Sequence, residues 1–143
     1  MSSFYRLHPG TRMALLQGEG PLSLTEWGSA AREVLGLDSW RGTRRILSDR
    51  RRMPGSFPPG MEETVLTFFR EHAVELGEVQ WAVVVPEDSV AAFATIRLAA
   101  ELSKGTRVRV QGFTDIVVAL HWLLGAYDDE QIAALMRWID DKE

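Results

Sequence analysis

Residues 79–85 read Val-Gln-Trp-Ala-Val-Val-Val, and Pro86 ends the run. Side chains alternate between the two faces of a strand, so a stretch apolar at every position from Trp81 to Val85 is apolar on both sides. That pattern belongs to a central strand with helices above and below it, the setting of parallel sheets. Upstream, Met61, Val65, Phe68, Phe69, His72 and Leu76 repeat at helical spacing and predict one helix over 61–76, closed by Gly77. Downstream, Asp88 stands where it can cap a helix running through Leu102. Its apolar stripe is expected at Val90, Phe93, Ala94, Leu98 and Leu102. Thr106–Gln111 then alternates Val108 and Val110 with Arg107 and Arg109, the pattern of a half-exposed strand near a sheet edge.

The same reading extends to both ends. Phe4–Leu7 and Arg12–Gln17 are short strand candidates around His8-Pro9-Gly10-Thr11, where proline followed by glycine predicts a type II turn. Ser23 and Glu26 form a capping-box pattern, with Leu22 and Trp27 placed as its hydrophobic staple. The helix they open carries Leu24, Trp27, Ala31, Val34 and Leu35 and stops at Gly36. Thr43–Ser48 is a strand with Ile46 and Leu47 as its apolar content, and the proline-rich loop 49–60 follows. Thr114 or Asp115 caps a helix over Ile116–Leu124. Asp128 caps a last helix over about 129–141, with Ile132, Leu135, Met136 and Ile139 as its stripe and Trp138 beside it. The order is β-β-α-β-α-β-α-β-α-α. It predicts a single α/β domain over 1–143, with a mixed, mostly parallel sheet of about five strands covered by helices.

Composition bounds the chemistry. A chain of 143 residues with 45% apolar and 25% charged content is sized and composed for one soluble globular domain. The lack of cysteine excludes disulfides, thiolate catalysis and cysteine-ligated metal, and His8, His72 and His121 have no metal-ligand spacing. No apolar run has the length of a membrane span, and the N-terminus lacks a signal-peptide pattern, so a cytoplasmic location is expected. A net charge of −4 argues against nucleic acid as a partner.

Against that acidic background, Arg41, Arg44, Arg45, Arg50, Arg51 and Arg52 crowd into residues 41–52 with Asp49 as the only acid among them. Arginine is the side chain best suited to planar, bidentate recognition of carboxylate or phosphate. Arg50, Arg51 and Arg52 follow a strand and precede a helix near Gly60, at the sheet edge where α/β folds tend to bind ligands. Arg45 and Asp49 complete this candidate site for a small anion or an acidic protein partner. The plain alternative is a solvated surface paired with nearby acids. No glycine-rich nucleotide motif is present.

Asp49, Asp88 and Asp115 fall near the same edge, but the last two read as helix caps and Asp49 as a partner for an arginine. His72 lies on an apolar stripe and reads as a core histidine. No catalytic residue, cofactor or metal site is expected. Trp40 and Trp138 are the candidate interface aromatics, and the last helix serves as core packing, sheet cover or a homodimer contact.

Several motifs together carry a resemblance. "LSLTEW" opens the first helix, "RRILSD" ends the third strand at Asp49, and "VQWAVVV" forms the buried strand. "AAFATIRLAAEL" contains Arg97, and "VRVQGFTDIVVALHWLL" contains Phe113, Asp115 and Ala119–Leu123. In this order they resemble the SpoIIAA-like family of STAS/CRAL–TRIO-type domains of small bacterial proteins. The likeness covers about residues 4–124 and leaves 128–141 as an additional helix. It implies a SpoIIAA-like sandwich with no common catalytic activity, and hence a regulatory or protein-interaction module with a basic docking loop. Anti-sigma-factor antagonists of similar fold carry a phosphorylatable serine or threonine at the start of the next helix. Here that place reads Pro58-Pro59-Gly60-Met61, and Ser56 lies in the loop before it. The alternatives are a carrier or sensor of a small acidic or lipid-like ligand, in a cavity lined by Phe68, Phe93 and Trp122, and a small hydrolase joining Asp49 or Asp115 to a histidine.

Overall fold

The computed structural model describes residues 3–8, 10–18, 23–36, 44–52, 58–88 and 90–141. Pro9, Leu22, Trp40, Arg41, Thr43 and Ser56, all named above, lie outside them, and so does the expected Leu22–Trp27 staple. Five strands form one sheet: β1 (Ser3–His8), β2 (Met13–Gly18), β3 (Arg45–Asp49), β4 (Val79–Val84) and β5 (Val108–Phe113). They stand in chain order, with β1 antiparallel to β2 and the other neighbours parallel.

Sequential order has a geometric consequence. Each parallel step needs a crossover, crossovers are right-handed, and stepping always in one direction puts every crossover helix on the same face. That face carries α1 (Leu24–Leu35), α2 (Met61–Glu71), the short α3 (Ala73–Leu76) and α4 (Val90–Leu102). Their core side chains include Trp27, Val34, Val65, Phe69 and Ile96, against Leu16, Ile46, Trp81 and Val83 of the sheet. The other face is left to α5 (Ile116–Leu124) and α6 (Asp129–Asp140), which pack Ile116, Leu120, Ile132, Leu135 and Ile139 on Met13, Leu15, Leu47 and Val84. The unbroken apolar run in β4 is thereby explained, because Trp81 and Val83 enter one core and Ala82 and Val84 the other.

Two local expectations are not met. In the β1–β2 loop the left-handed residue is Arg12 (φ 54°) and not Gly10. The Arg12 N–H reaches the His8 carbonyl at 2.9 Å, and the Thr11 N–H donates to His8 Nδ1 at 3.2 Å, so the turn is wider than type II. The predicted 61–76 helix breaks at His72 (φ −115°, ψ 24°) into α2 and α3. α4 begins at Val90, and the residue between it and Asp88, Ser89, lies outside the described residues, as does the cap expected there.

The predicted stripe of α4 is also corrected. Val90 and Leu98 are 80% and 47% exposed and Ala94 faces solvent, while Ala92 and Ile96 are buried and Phe93 half-buried. The side chain of Leu102 is outside the described set. A helix apolar at most positions offers several stripes, and the sheet selects one.

Other ends follow the sequence. Ser23 Oγ accepts the Glu26 N–H (3.3 Å), and Asp115 accepts from the Val117 N–H (2.9 Å). Asp128 and Gln131 close a full capping box on α6. The stripe of α6 is buried at Ile132, Leu135 and Ile139, with Met136 half-buried. No helix among the described residues is long and apolar enough to cross a membrane.

Candidate functional site

Alternation along β3 separates the arginines that the sequence crowds together. Arg45, Leu47 and Asp49 point toward the α5/α6 side, whereas Ile46, Ser48 and then Arg50 point toward α1, α2 and α4. Arg45 also sits at the opposite end of the strand, roughly 13 Å from Asp49 at about 3.3 Å per residue. Its Nε donates to the Leu123 carbonyl at 2.9 Å and its Nη1 to the Thr11 carbonyl at 2.8 Å, tying α5 and the hairpin loop to the sheet.

Asp49 and Arg51 form a clamp on the α6 side. Arg51 donates Nε to Asp49 Oδ1 and Nη2 to Asp49 Oδ2, both at 2.9 Å, and Nη2 also reaches Asp140 Oδ1 of α6 at 3.1 Å. Gln17 Nε2 bridges Asp49 Oδ2 (3.3 Å) and the Ile139 carbonyl (3.2 Å). Burial raises the Asp49 carboxyl, but the Arg51 bonds and charge, with Gln17, outweigh it and hold the group below the usual carboxylate range. Arg6 extends the clamp. Its Nη2 donates to the Ile139 carbonyl at 2.9 Å, and its guanidinium lies 4.5 Å over the Trp138 ring. His8 meets the same ring edge-on at 4.7 Å. Trp138, a candidate interface residue in sequence, is thus half-buried within its own chain.

Arg50 takes a third direction. It is 8% exposed, and burial brings its guanidinium down to about 10, still cationic at neutral pH. Arg52, the last of the run, is exposed. The three consecutive arginines therefore face inward, across to α6, and outward.

Arg50 lines a small cavity of about 40 Å³ at the C-terminal edge of the sheet, between β3–β4 and the start of α2. Its accessible wall is almost wholly apolar, built by Trp27, Met61, Phe69 and Trp81, with Ser48, Arg50 and Glu62 also among the lining residues. The rings are ordered: Trp27 stacks on Trp81 at 6.0 Å and 21°, and Phe69 lies 5.5 Å from Trp81. Trp81 Nε1 donates to Ser48 Oγ at 2.8 Å, which satisfies the buried indole. Glu62 stands in the first turn of α2, behind an N-cap glycine, Gly60, that has φ 86° and no side chain to cap the helix. A wider, open groove of about 410 Å³ runs between α1 and α2, bordered by Gly28, Arg32, Thr64, Thr67 and Glu71.

The cavity foreseen from Phe68, Phe93 and Trp122 does not form. Phe68 and Phe93 belong to the core under α1, α2 and α4, while Trp122 packs on Phe113 on the opposite side of the sheet. Asp49 and Asp115 do not converge on a histidine: Asp49 is held by Arg51 and Gln17, and Asp115 caps α5. His72 is half-buried beside Phe68 at 4.7 Å. Among the described residues no cluster of three metal-ligating side chains occurs.

Sequence reasoning missed Trp27, Trp81 and Met61 as cavity walls and missed the burial of Arg50. The usable signal was Ser48 in an otherwise apolar strand, because the period of two places Arg50 on the same face as Ser48. No family model matches the chain, and no curated protein is found similar to it.

Proposed function

We propose that the chain is a non-catalytic binding module that holds a small organic acid at the C-terminal edge of its sheet, with Arg50 as the recognition cation. The observation that carries this reading is a buried arginine lining a largely apolar cavity beside a helix N-terminus. Burying a cation is costly unless an anion or several acceptors meet it. Arg50 is engaged within the fold, and five N–H donors give it capacity for more than one partner. The first turn of α2 adds the positive end of a helix dipole to the same place.

Size narrows the ligand. A cavity of about 40 Å³ exceeds the need of one water, about 10–15 Å³, and falls well below the ~150 Å³ that admits benzene. A few heavy atoms fit and a lipid chain does not. Docking an acidic protein segment on Arg50, Arg51 and Arg52 as a set is less well supported, because Arg51 is committed to Asp49 and Asp140 and Arg50 points inward. Membership of the SpoIIAA-like domains belongs to the same proposal. Its support is the hairpin-led, sequentially ordered sheet together with the motifs from "LSLTEW" to "VVALHWLL".

Thermal unfolding with propionate and its neutral isostere propionamide tests the reading. Propionate at 100 times its Kd should raise Tm by roughly 5–10 °C. Propionamide should leave it unchanged, and Arg50→Gln should remove the response. Equal effects of acid and amide, or none from any short-chain acid, would show that Arg50 does not serve this role.

A further inference from the structure

β5 closes the parallel side of the sheet, and no strand lies beyond it among the described residues. Its Arg107 and Phe113 carbonyls accept the N–H groups of Val79 in β4 and of Val85 just after it. Backbone groups alternate sides along a strand, so Val108, Val110 and Gly112 turn theirs away from β4, toward the open side. The Val108 N–H is taken by Thr106 Oγ1 at 3.2 Å, which leaves its carbonyl and both groups of Val110 and Gly112 along the edge. The opposite edge differs, because Arg6 and His8 of β1 are drawn onto Trp138 and Ile139 of α6.

The side chains along the β5 edge are cationic and apolar. α4 lies over the strand, with Phe93 half-buried above Gly112, and Arg97 and Ala100 continue its line one and two turns on. On the other face Arg107, Arg109 and Gln111 are exposed. Arg97, Arg107 and Arg109 thus put three cations beside one edge of a chain whose net charge is −4. Glu101, the acid of α4, is paired with Lys104 at 2.9 Å. A second copy does not fit here. Paired β5 strands would stand about 4.8 Å apart, whereas the α4 helices above them need about 8–10 Å between axes. Arg107 and Arg109 would also meet charges of their own sign.

We propose that β5 takes up an extended peptide as a sixth, antiparallel strand, its acidic side chains beside Arg107 and Arg109 and its apolar ones beneath Phe93 and Ala100. Arg107 and Arg109 stand two residues apart, about 6.6 Å, which is also the spacing of alternate side chains in an added strand. Acidic and apolar residues therefore alternate in the segment this edge accepts. Main-chain bonds to Val110 and Gly112 hold the peptide, and the charge pairs select its sequence.

Fluorescence polarisation of the full chain with labelled, end-capped Val-Glu-Val-Glu-Val-Glu tests this. The lysine counterpart Val-Lys-Val-Lys-Val-Lys should bind about tenfold more weakly. Val-Glu-Pro-Glu-Val-Glu, whose proline removes the N–H facing Val110, should lose binding to a similar degree. Arg109→Glu, at an exposed position, should weaken the glutamate peptide about tenfold and strengthen the lysine one, with an unchanged Tm showing that the variant is folded. The Val110 and Gly112 amide resonances should shift on binding. Equal binding of the glutamate and lysine peptides, full binding of the proline peptide, or no binding at millimolar concentration overturns the proposal. A concentration-dependent shift of the same amides in the chain alone would give the edge to a second copy and overturn it as well.

Discussion

Asp49 shows how one residue changes meaning between sequence and structure. In sequence it ends a strand among arginines and reads first as the ion-pair partner of one of them, within a candidate anion site. In the fold it is 7% exposed, bound bidentately by Arg51 and joined through Arg51 and Gln17 to the C-terminal end of α6. Asp49→Asn leaves the half-buried Arg51 guanidinium without its main acceptor and should cost about 2 kcal/mol in urea unfolding, a pair partly open to solvent being worth less than a sealed one. Asp140→Asn, at a site 47% exposed, should cost no more than about 0.5 kcal/mol. Equal losses would mean that the clamp is not centred on Asp49. The sign of the pH effect follows from the lowered pKa: this stability is complete above the unfolded carboxyl value of about 3.9 and is lost as pH falls through the folded one. Asp49→Asn should therefore flatten the acid limb of the stability curve below about pH 4. Arg50 teaches the complementary lesson. Its neighbours Asp49 and Arg51 are legible as a local pair, but which face a side chain takes depends on the register of β3 against β2 and β4, set by contacts far away in sequence.

Among the elements, strands and caps were the most legible and α4 the least. Strand alternation and cap chemistry are local, so β4, β5, the Asp115 cap and the Asp128 box are written within a few residues. The apolar surface of α4 runs most of the way round, so no period singles out its inner face. Gly112 on β5 reveals the choice the fold made. A Cβ there would stand 3.1 Å from Phe93 Cε1 and 3.2 Å from Ile96, because α4 lies directly over the strand. Gly112→Ala should lower stability by about 1–3 kcal/mol through overpacking. Gly105→Ala, with nothing within 4 Å of the new atom, should be close to neutral. Differential scanning calorimetry of the pair decides it, and a neutral Gly112→Ala would show that Phe93 and Ile96 yield the few tenths of an ångström the new methyl needs.

At the scale of the whole molecule the deciding feature is the strand order. A sheet wound in one direction covers one face with its crossover helices and leaves the other bare, so α5 and α6 complete the fold rather than decorate it. Ile132, Leu135 and Ile139 are each nearly inaccessible, and a fully buried side chain of this kind contributes about 1.5–3 kcal/mol. A chain ending at residue 126 should therefore lose cooperative unfolding and bind a hydrophobic dye, as a sheet with Met13, Leu15 and Leu47 uncovered would. Retention of a sharp transition in the shortened chain would show α6 to be an appendage.

The sequence by itself determined the class of fold, the order of elements, most helix ends and the central place of residues 79–85, because these rest on periodicity and on caps that act over a few residues. The tertiary structure alone decided that the arginine cluster would scatter to three destinations. It also decided which stripe of α4 would be buried, and that Arg50 and Glu62 would share a cavity walled by Trp27 and Trp81. Those outcomes depend on strand register and on which face each helix covers. Both are set by packing between residues distant in the chain, which no local pattern encodes.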